Sequence, residues 1–457
     1  MSIMRNNPPK FLKLIEQRRW QESAGEWLRL CLVCSAIAIV WCWSLGQVPL
    51  TPGEEQLADQ AQQWLEQLDT IGVNPLESLR GLGQSPLTVA LIALGQSLGG
   101  ELGWSDRLPV AVFNLLSLPL LSGIAKTLTG RRLGALLVVV VYGTALGVTY
   151  WARSATSNGL ILPLTLIYLT SLLFCRRDLR GSLTLGLSLT ALALTNLQTS
   201  VLLGVTGLIF LGWDTPRLLR TPVFWSGLAL GLLPAIAWWG NDGWHHGGFE
   251  SPFALGNDDK QIGWIWIVMS LPGLIFACTG FQQAKHAQHW SWARFLICQG
   301  GIYSLLVILA PWSSGPLVMP LFVPLALAAA ISLTNADHPT RWEYPAWWGP
   351  VFLGGAGFTF LLLTGVYWQG AIAGHLPGGQ FWGLLWLALL AMTLMMTAIL
   401  LDQHNAEFIA VLFWGLYVCL ALTVYSPLWS TFLDWTNQWY DPPLVEVLTL
   451  SHHHFRA

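Results

Sequence analysis

Charge is what this chain of 457 residues has least of: Asp, Glu, Lys and Arg make up 10% of it, against 54% hydrophobic residues. A soluble domain carries about 25% charged residues, so the soluble globular class is excluded. The few cations form no outward-facing basic patch, which excludes nucleic acid as a partner. Cysteine is also sparse. All seven (Cys31, Cys34, Cys42, Cys175, Cys278, Cys298, Cys419) fall in or at the ends of apolar runs, so they read as small buried apolar groups with no disulfide framework. Cys31 and Cys34 have C-x-x-C spacing, but inside an apolar run and without a strand-to-helix context. There is no repeat of fixed period and no low-complexity linker. No cleavable leader is expected, because residues 1–27 are polar and basic and the next run is long enough to remain as an anchor.

What the chain does have is apolar length. Counting each run near the ~20 residues that cross a bilayer predicts an all-α polytopic membrane protein with about thirteen spans. Their cores are 28–47, 107–126, 133–151, 159–175, 182–195, 199–213, 222–240, 262–280, 294–311, 317–334, 347–368, 381–401 and 407–427. With a cytoplasmic N-terminus, 17 of the 22 Lys and Arg fall on inner segments. Only Arg80, Arg107, Arg153, Lys260 and Arg456 fall outside. This bias is what orients membrane proteins, and one miscounted span would destroy it. The expected arrangement is a cytoplasmic segment 1–27, a membrane domain 28–427 and an extracytoplasmic tail 428–457, placed in the cell (inner) membrane. The 27 tryptophans gather near span ends, as an interfacial aromatic belt does.

Residues 48–106 form a long outer loop. Thr51-Pro52-Gly53-Glu54 reads as a capping box with proline at the first helical position. Leu57, Ala61, Trp64, Leu65 and Leu68 then recur at helical spacing, predicting an amphipathic helix lying flat at the interface. Ser85-Pro86 repeats the cap-and-proline start for a second short helix, 86–98. Gly227 and Gly231, at i and i+4, permit close helix packing.

A first span, a large outer loop with interfacial helices and a dozen further spans resemble the C-type (GT-C) membrane glycosyltransferases. The nearest branch is that of the aminoarabinose transferases of lipid A and the protein mannosyltransferases. Arg107-Leu108-Pro109 at the second span and Gly130-Arg131-Arg132 at the third carry the resemblance, as do Pro52-Gly53-Glu54-Glu55 and Gln84-Ser85-Pro86 in the first outer loop. Departures accompany it. Gly53 stands where the family has its catalytic Asp, Gln84 where it has a Lys, and Asn158 where it has a second outer-turn Asp. The resemblance implies transfer of a sugar from a polyprenyl-phosphate carrier to an acceptor on the outer face.

Such chemistry needs a carboxylate to take the acceptor's proton, cations to hold the departing phosphate, and an apolar cleft for the lipid tail. Glu54 and Glu55 are the candidate bases, although the capping box accounts for Glu54 and a solvated helix face for Glu55. Arg107 and Arg153 break the orientation bias and are candidate phosphate ligands; snorkelling, or pairing of Arg107 with Asp106, is the plainer alternative. Asn158 is read as a helix cap or a donor to sugar. His245 and His246, in a glycine-rich outer loop, are candidates for sugar phosphate, but adjacent side chains diverge on most backbones and no metal or other cofactor is indicated. Two rival functions stay open: a catalytically inactive GT-C-derived subunit or scaffold, favoured by Gly53, Gln84 and Asn158, and a transporter, disfavoured by charge-free span interiors.

Overall fold

The computed structural model describes residues 10–47, 49–68, 85–100, 103–245, 271–309, 315–336, 345–372 and 378–430. Among them the secondary structure is helical. The helices are α1 (Lys10–Cys42), α2 (Pro52–Leu68), α3 (Pro86–Gly99), α4 (Gly103–Thr129), α5 (Arg132–Gly143), α6 (Leu146–Ala152), α7 (Ser157–Cys175), α8 (Gly181–Thr195), α9 (Leu197–Asp214), α10 (Pro216–Leu219), α11 (Pro222–His245) and α12 (Leu271–His286). The bundle continues with α13 (Ser291–Leu309), which widens into a π turn at Ile297–Ile302, then α14 (Phe322–Ala336), α15 (Trp348–Ile372), α16 (Gly378–Asp402) and α17 (Phe408–Tyr425).

Ten helices among the described residues are long and apolar enough to cross a membrane, or eleven if the α5–α6 pair, bent by 70°, is one span. Thirteen is therefore not reached. The expected span 182–195 is the 15-residue α8, shorter than a full crossing, and 262–280 begins before the first described residue of α12. Every other predicted core coincides with one of these helices or with the bent pair.

Five of the cations that the charge pattern assigns to inner segments find partners at helix ends. At one end, Glu26 meets Lys126 at 3.2 Å and also Arg132, Arg131 donates to Asn335 at 2.7 Å, and Asp214 holds Arg176 at 2.8 Å and Arg294 at 3.5 Å. At the other end lie the first outer loop and the turn between α6 and α7. These contacts join the basic ends of α4, α5, α7 and α13 to α1, α9 and α14. The protein is a multi-pass membrane protein.

The apolar stripe of α2 packs on α3: Ala61 joins Val89, Ile92 and Ala93 in a small core, with Leu57, Trp64 and Leu65 at its edge. Gln96 of α3 donates to the Ala58 carbonyl at 3.1 Å and pins the two helices together. The stripe's principal contact is protein.

Glycines set a close helix crossing between α8 and α11. A Cβ on Gly231 would lie 2.7 Å from the Cα of Gly186 and 2.7 Å from the Leu183 carbonyl oxygen, so α8 and α11 touch backbone to backbone. Thr190 Oγ1 donates to the Gly231 carbonyl at 2.7 Å across the same contact. Gly231→Leu should therefore force the helices apart at a cost of about 1–3 kcal/mol, read as a lower melting temperature in detergent. Gly212→Leu, on the neighbouring α9, meets only the Leu219 side chain and should change melting much less.

Candidate functional site

The site begins where α1 ends. Pro52 opens α2 and the capping box closes in both directions: the Thr51 amide donates to Glu54 Oε2 at 2.9 Å, and the Glu54 amide donates to Thr51 Oγ1 at 3.4 Å. The box aims the Glu54 carboxylate at the first turn of α4. There Arg107 forks onto it, Nη2 to Oε2 at 2.6 Å and Nε to Oε1 at 3.0 Å. The Ala155 amide, in the turn between α6 and α7, adds a third direction at 2.7 Å, and Thr51 Oγ1 a fifth hydrogen bond at 3.2 Å. Glu54 is 1% exposed and Arg107 5%. Five donors on one carboxylate fill its roughly four lone-pair sites. Burial alone would raise the Glu54 pKa, but the Arg107 guanidinium and the Thr51 and Ala155 donors outweigh it and hold the group below the usual carboxylate range.

Arg107 also donates to the carbonyls of Leu45 at 2.8 Å and Pro49 at 3.0 Å. Asp106, the plainer alternative partner, takes the Gln96 amide at 2.9 Å and feels the Arg107 charge beside it. The carboxylate fifty-three residues upstream offers the fork two oxygens at once, which a neighbour on the same helical turn does not.

Arg153 follows α6. Its Nη1 donates to the carbonyls of Val40 at 2.6 Å, Trp43 at 2.9 Å and Trp41 at 3.2 Å, closing the C-terminus of α1, where a cation is favoured. Its Nε is buried without a hydrogen-bond partner, and no carboxylate pairs with it among the described residues. The face of Trp429, beyond α17, lies 5.2 Å from its guanidinium carbon. Burial, with the like charge of Arg107, pushes its pKa down to about 10, so it stays cationic at neutral pH.

Leu45, Thr51, Glu54, Arg107, Tyr150, Arg153, Ser154 and Trp429 line one cleft. Its free volume of about 20 Å³ holds a single water, so a sugar phosphate enters only if the walls part. The structure thus brings Glu54, Arg107 and Arg153 together. It does not bring Glu55, which is exposed on the next position of α2 and does not line the cleft. Asn158 is not the cap of α7. That helix starts at Ser157 behind Thr156, leaving Asn158 half-buried in its first turn and away from the cleft wall. His245 closes α11 with its side chain outside the described part, and His246 lies outside the described residues. Tyr150, Ser154 and Trp429 were not anticipated. The first two flank Arg153 in sequence and could have been taken with it. Trp429 carries no local signal, since only the fold returns it to the first loop.

Residues 83–239 match the family model described as dolichyl-phosphate-mannose-protein mannosyltransferase, a stretch that holds Arg107 and Arg153 but not Glu54. No curated protein sequence matches the chain. Among solved structures, ArnT from Cupriavidus metallidurans bound to undecaprenyl phosphate superposes with a TM-score of 0.63 at 15% identity, over 86% of this chain and 76% of that one. Its apo state gives 0.63 and 15%, over 88% and 77%. The fold is that of the GT-C membrane glycosyltransferases. Its helices are arranged as in ArnT over most of both chains.

Proposed function

We propose that this chain is a membrane glycosyltransferase that takes a sugar from a polyprenyl-phosphate carrier at the end of the bundle opposite its arginine-rich end. With the usual bias of basic segments toward the cytoplasm, that end is the outer face of the cell membrane. The observation that carries the reading is the charge of the cleft. Two buried guanidiniums face one carboxylate, and Arg153 has no anionic partner among the described residues. A buried cation without a counter-ion is costly, and an entering phosphate would balance it. The ArnT relative holds undecaprenyl phosphate, a ligand of that charge.

In this reading Arg153 takes the carrier phosphate and Arg107 turns toward it, releasing Glu54. The acceptor oxygen or nitrogen attacks the anomeric carbon, and the bond from that carbon to the phosphate oxygen breaks. The electron pair goes to the phosphate, stabilised by the guanidiniums. The acceptor's proton passes to Glu54. Glu54 can serve only after Arg107 leaves it, because all its lone pairs are otherwise taken.

That saturation also favours a second reading, a GT-C-derived subunit that binds lipid phosphate without turnover. Gly53, in the position of the family's catalytic Asp, points the same way. A Cβ on Gly53 meets no atom within 4 Å, so Gly53→Asp is accommodated without strain. Purified protein should release sugar from a polyprenyl-phosphate donor, and Glu54→Gln should slow release at least ~100-fold. Carrier binding without turnover in the native chain, with turnover appearing in Gly53→Asp, would establish the second reading. Failure to bind undecaprenyl phosphate would sink both.

A further inference from the structure

At the opposite end of the bundle a second set of arginines has no role in the cleft. Six arginines and two carboxylates lie on two adjacent turns and the start of α13. Asp214 is taken by Arg176 and Arg294, and Asp178 accepts the Arg180 amide at 3.0 Å. Arg177, Arg180, Arg217 and Arg220 remain exposed, and among the described residues their guanidiniums make no ion pair. Trp213 and Trp225 are 40% and 46% exposed beside them, and Trp225 Nε1 donates to the Leu219 carbonyl at 2.8 Å. Tryptophan beside arginine at the end of a span marks headgroup depth.

Above these arginines runs an apolar groove of about 340 Å³. α7 and α8 form its floor through Leu172 and Leu189. α9 and α11 form its walls through Gly204, Leu211, Leu228 and Ile236. Ile236 is 61% exposed on the rim, so the groove opens sideways toward lipid rather than into the bundle. Connectivity ties charge to groove. Arg217 lies on α10 and Arg220 caps it, and α10 joins the two walls. Arg177 and Arg180 lie on the turn that joins the two floor helices.

We propose that this groove holds one acyl chain of an anionic phospholipid from the arginine-rich leaflet, its phosphate seated on Arg177, Arg180, Arg217 and Arg220. An apolar groove of this size facing hydrocarbon has the shape and chemistry to take a lipid chain. The four unpaired cations at its foot select a chain whose headgroup carries net negative charge. Zwitterionic lipids supply the same chain without that charge. The site is separate from the cleft at Arg153 and does not rest on sugar transfer.

The test uses the full chain in detergent micelles, titrated with phosphatidylglycerol or phosphatidylcholine of matched chains, with bound lipid counted by native mass spectrometry. Wild type should bind phosphatidylglycerol at least roughly tenfold more tightly. The variant R177Q/R180Q/R217Q/R220Q should lose that preference. Gly204→Trp should weaken both lipids, since a Cβ at Gly204 approaches only the Leu189 methyls at 3.8 and 3.9 Å and the ring is free to fill the groove. Equal binding of the two lipids by wild type would overturn the proposal without relying on any variant. So would a preference that survives in the quadruple variant. Displacement of phosphatidylglycerol by undecaprenyl phosphate with equal ease in wild type and quadruple variant would show the groove filled from its other end, and would also refute it.

Discussion

Glu54→Ala is expected to destabilise the chain by about 3–5 kcal/mol, because it strands the buried Arg107 cation without its carboxylate. The loss is larger than for a surface pair, since the two side chains are 6% and 2% exposed. It also frees the Ala155 amide and Thr51, so three segments lose a common anchor. Thermal unfolding in micelles reads it directly. Glu54→Ala combined with Arg107→Met should regain most of the loss, as apolar replacement of a buried pair removes both the charge and its desolvation. A single-variant change below about 1 kcal/mol would show that the pair does not hold the loop. The same pair predicts a pH dependence. The folded Glu54 pKa lies below its unfolded value, so between the two the unfolded chain binds the extra proton. Its contribution is complete above the unfolded pKa of about 4.3 and is lost as pH falls through the folded value. Melting temperature should drop more steeply below about pH 4.3 in the native chain than in the Glu54→Ala, Arg107→Met double variant.

The second large effect is expected at Arg153. Arg153→Gln removes the one cleft cation that has no carboxylate partner among the described residues. A hydrogen bond to a charged group contributes about 1.5–3 kcal/mol, so undecaprenyl phosphate should bind roughly ten- to a hundredfold more weakly. The substitution also weakens the closure of α1, which costs stability of about 1 kcal/mol. Arg153→Lys separates the two effects. It keeps a cation at the end of α1 but loses the planar fork, so melting should stay near native while lipid-phosphate affinity falls. Unchanged affinity in both variants, measured by microscale thermophoresis on the same preparations, would remove Arg153 from the binding site.

Much of the fold was legible in the chain because its causes are local. Thr51, Pro52 and Glu54 form their capping box within four residues, and the structure shows both hydrogen bonds. The Ser85-Pro86 start is right in position and wrong in bonding. The Ser85 hydroxyl donates to the Thr195 carbonyl at 3.2 Å and makes no cap bond, because the close approach of α8 offers it a buried acceptor. Gly231 was read as a packing glycine, but its partner Gly186 is forty-five positions away and unmarked. The bend between α5 and α6 was invisible as well. The run 133–151 is apolar throughout, and neither Gly143 nor Thr144 declares a 70° turn in a sequence where glycine is common.

The site was legible residue by residue and not as an arrangement. Glu54, Arg107 and Arg153 were each notable for a local reason: a cap signature, or a cation on the charge-poor side. Length and polarity of each run depend only on neighbours in sequence. The chain alone therefore determined that it crosses a membrane many times. Partnership depends on approach in space, across 53 residues from Glu54 to Arg107 and 101 from Glu54 to Ala155. Only the packed bundle decided that Glu54 meets Arg107 rather than solvent, and that Trp429 returns to cover Arg153. A buried charge takes whichever partner the folded backbone sets within hydrogen-bond distance, and that choice is written in the packing of helices rather than in any single one of them.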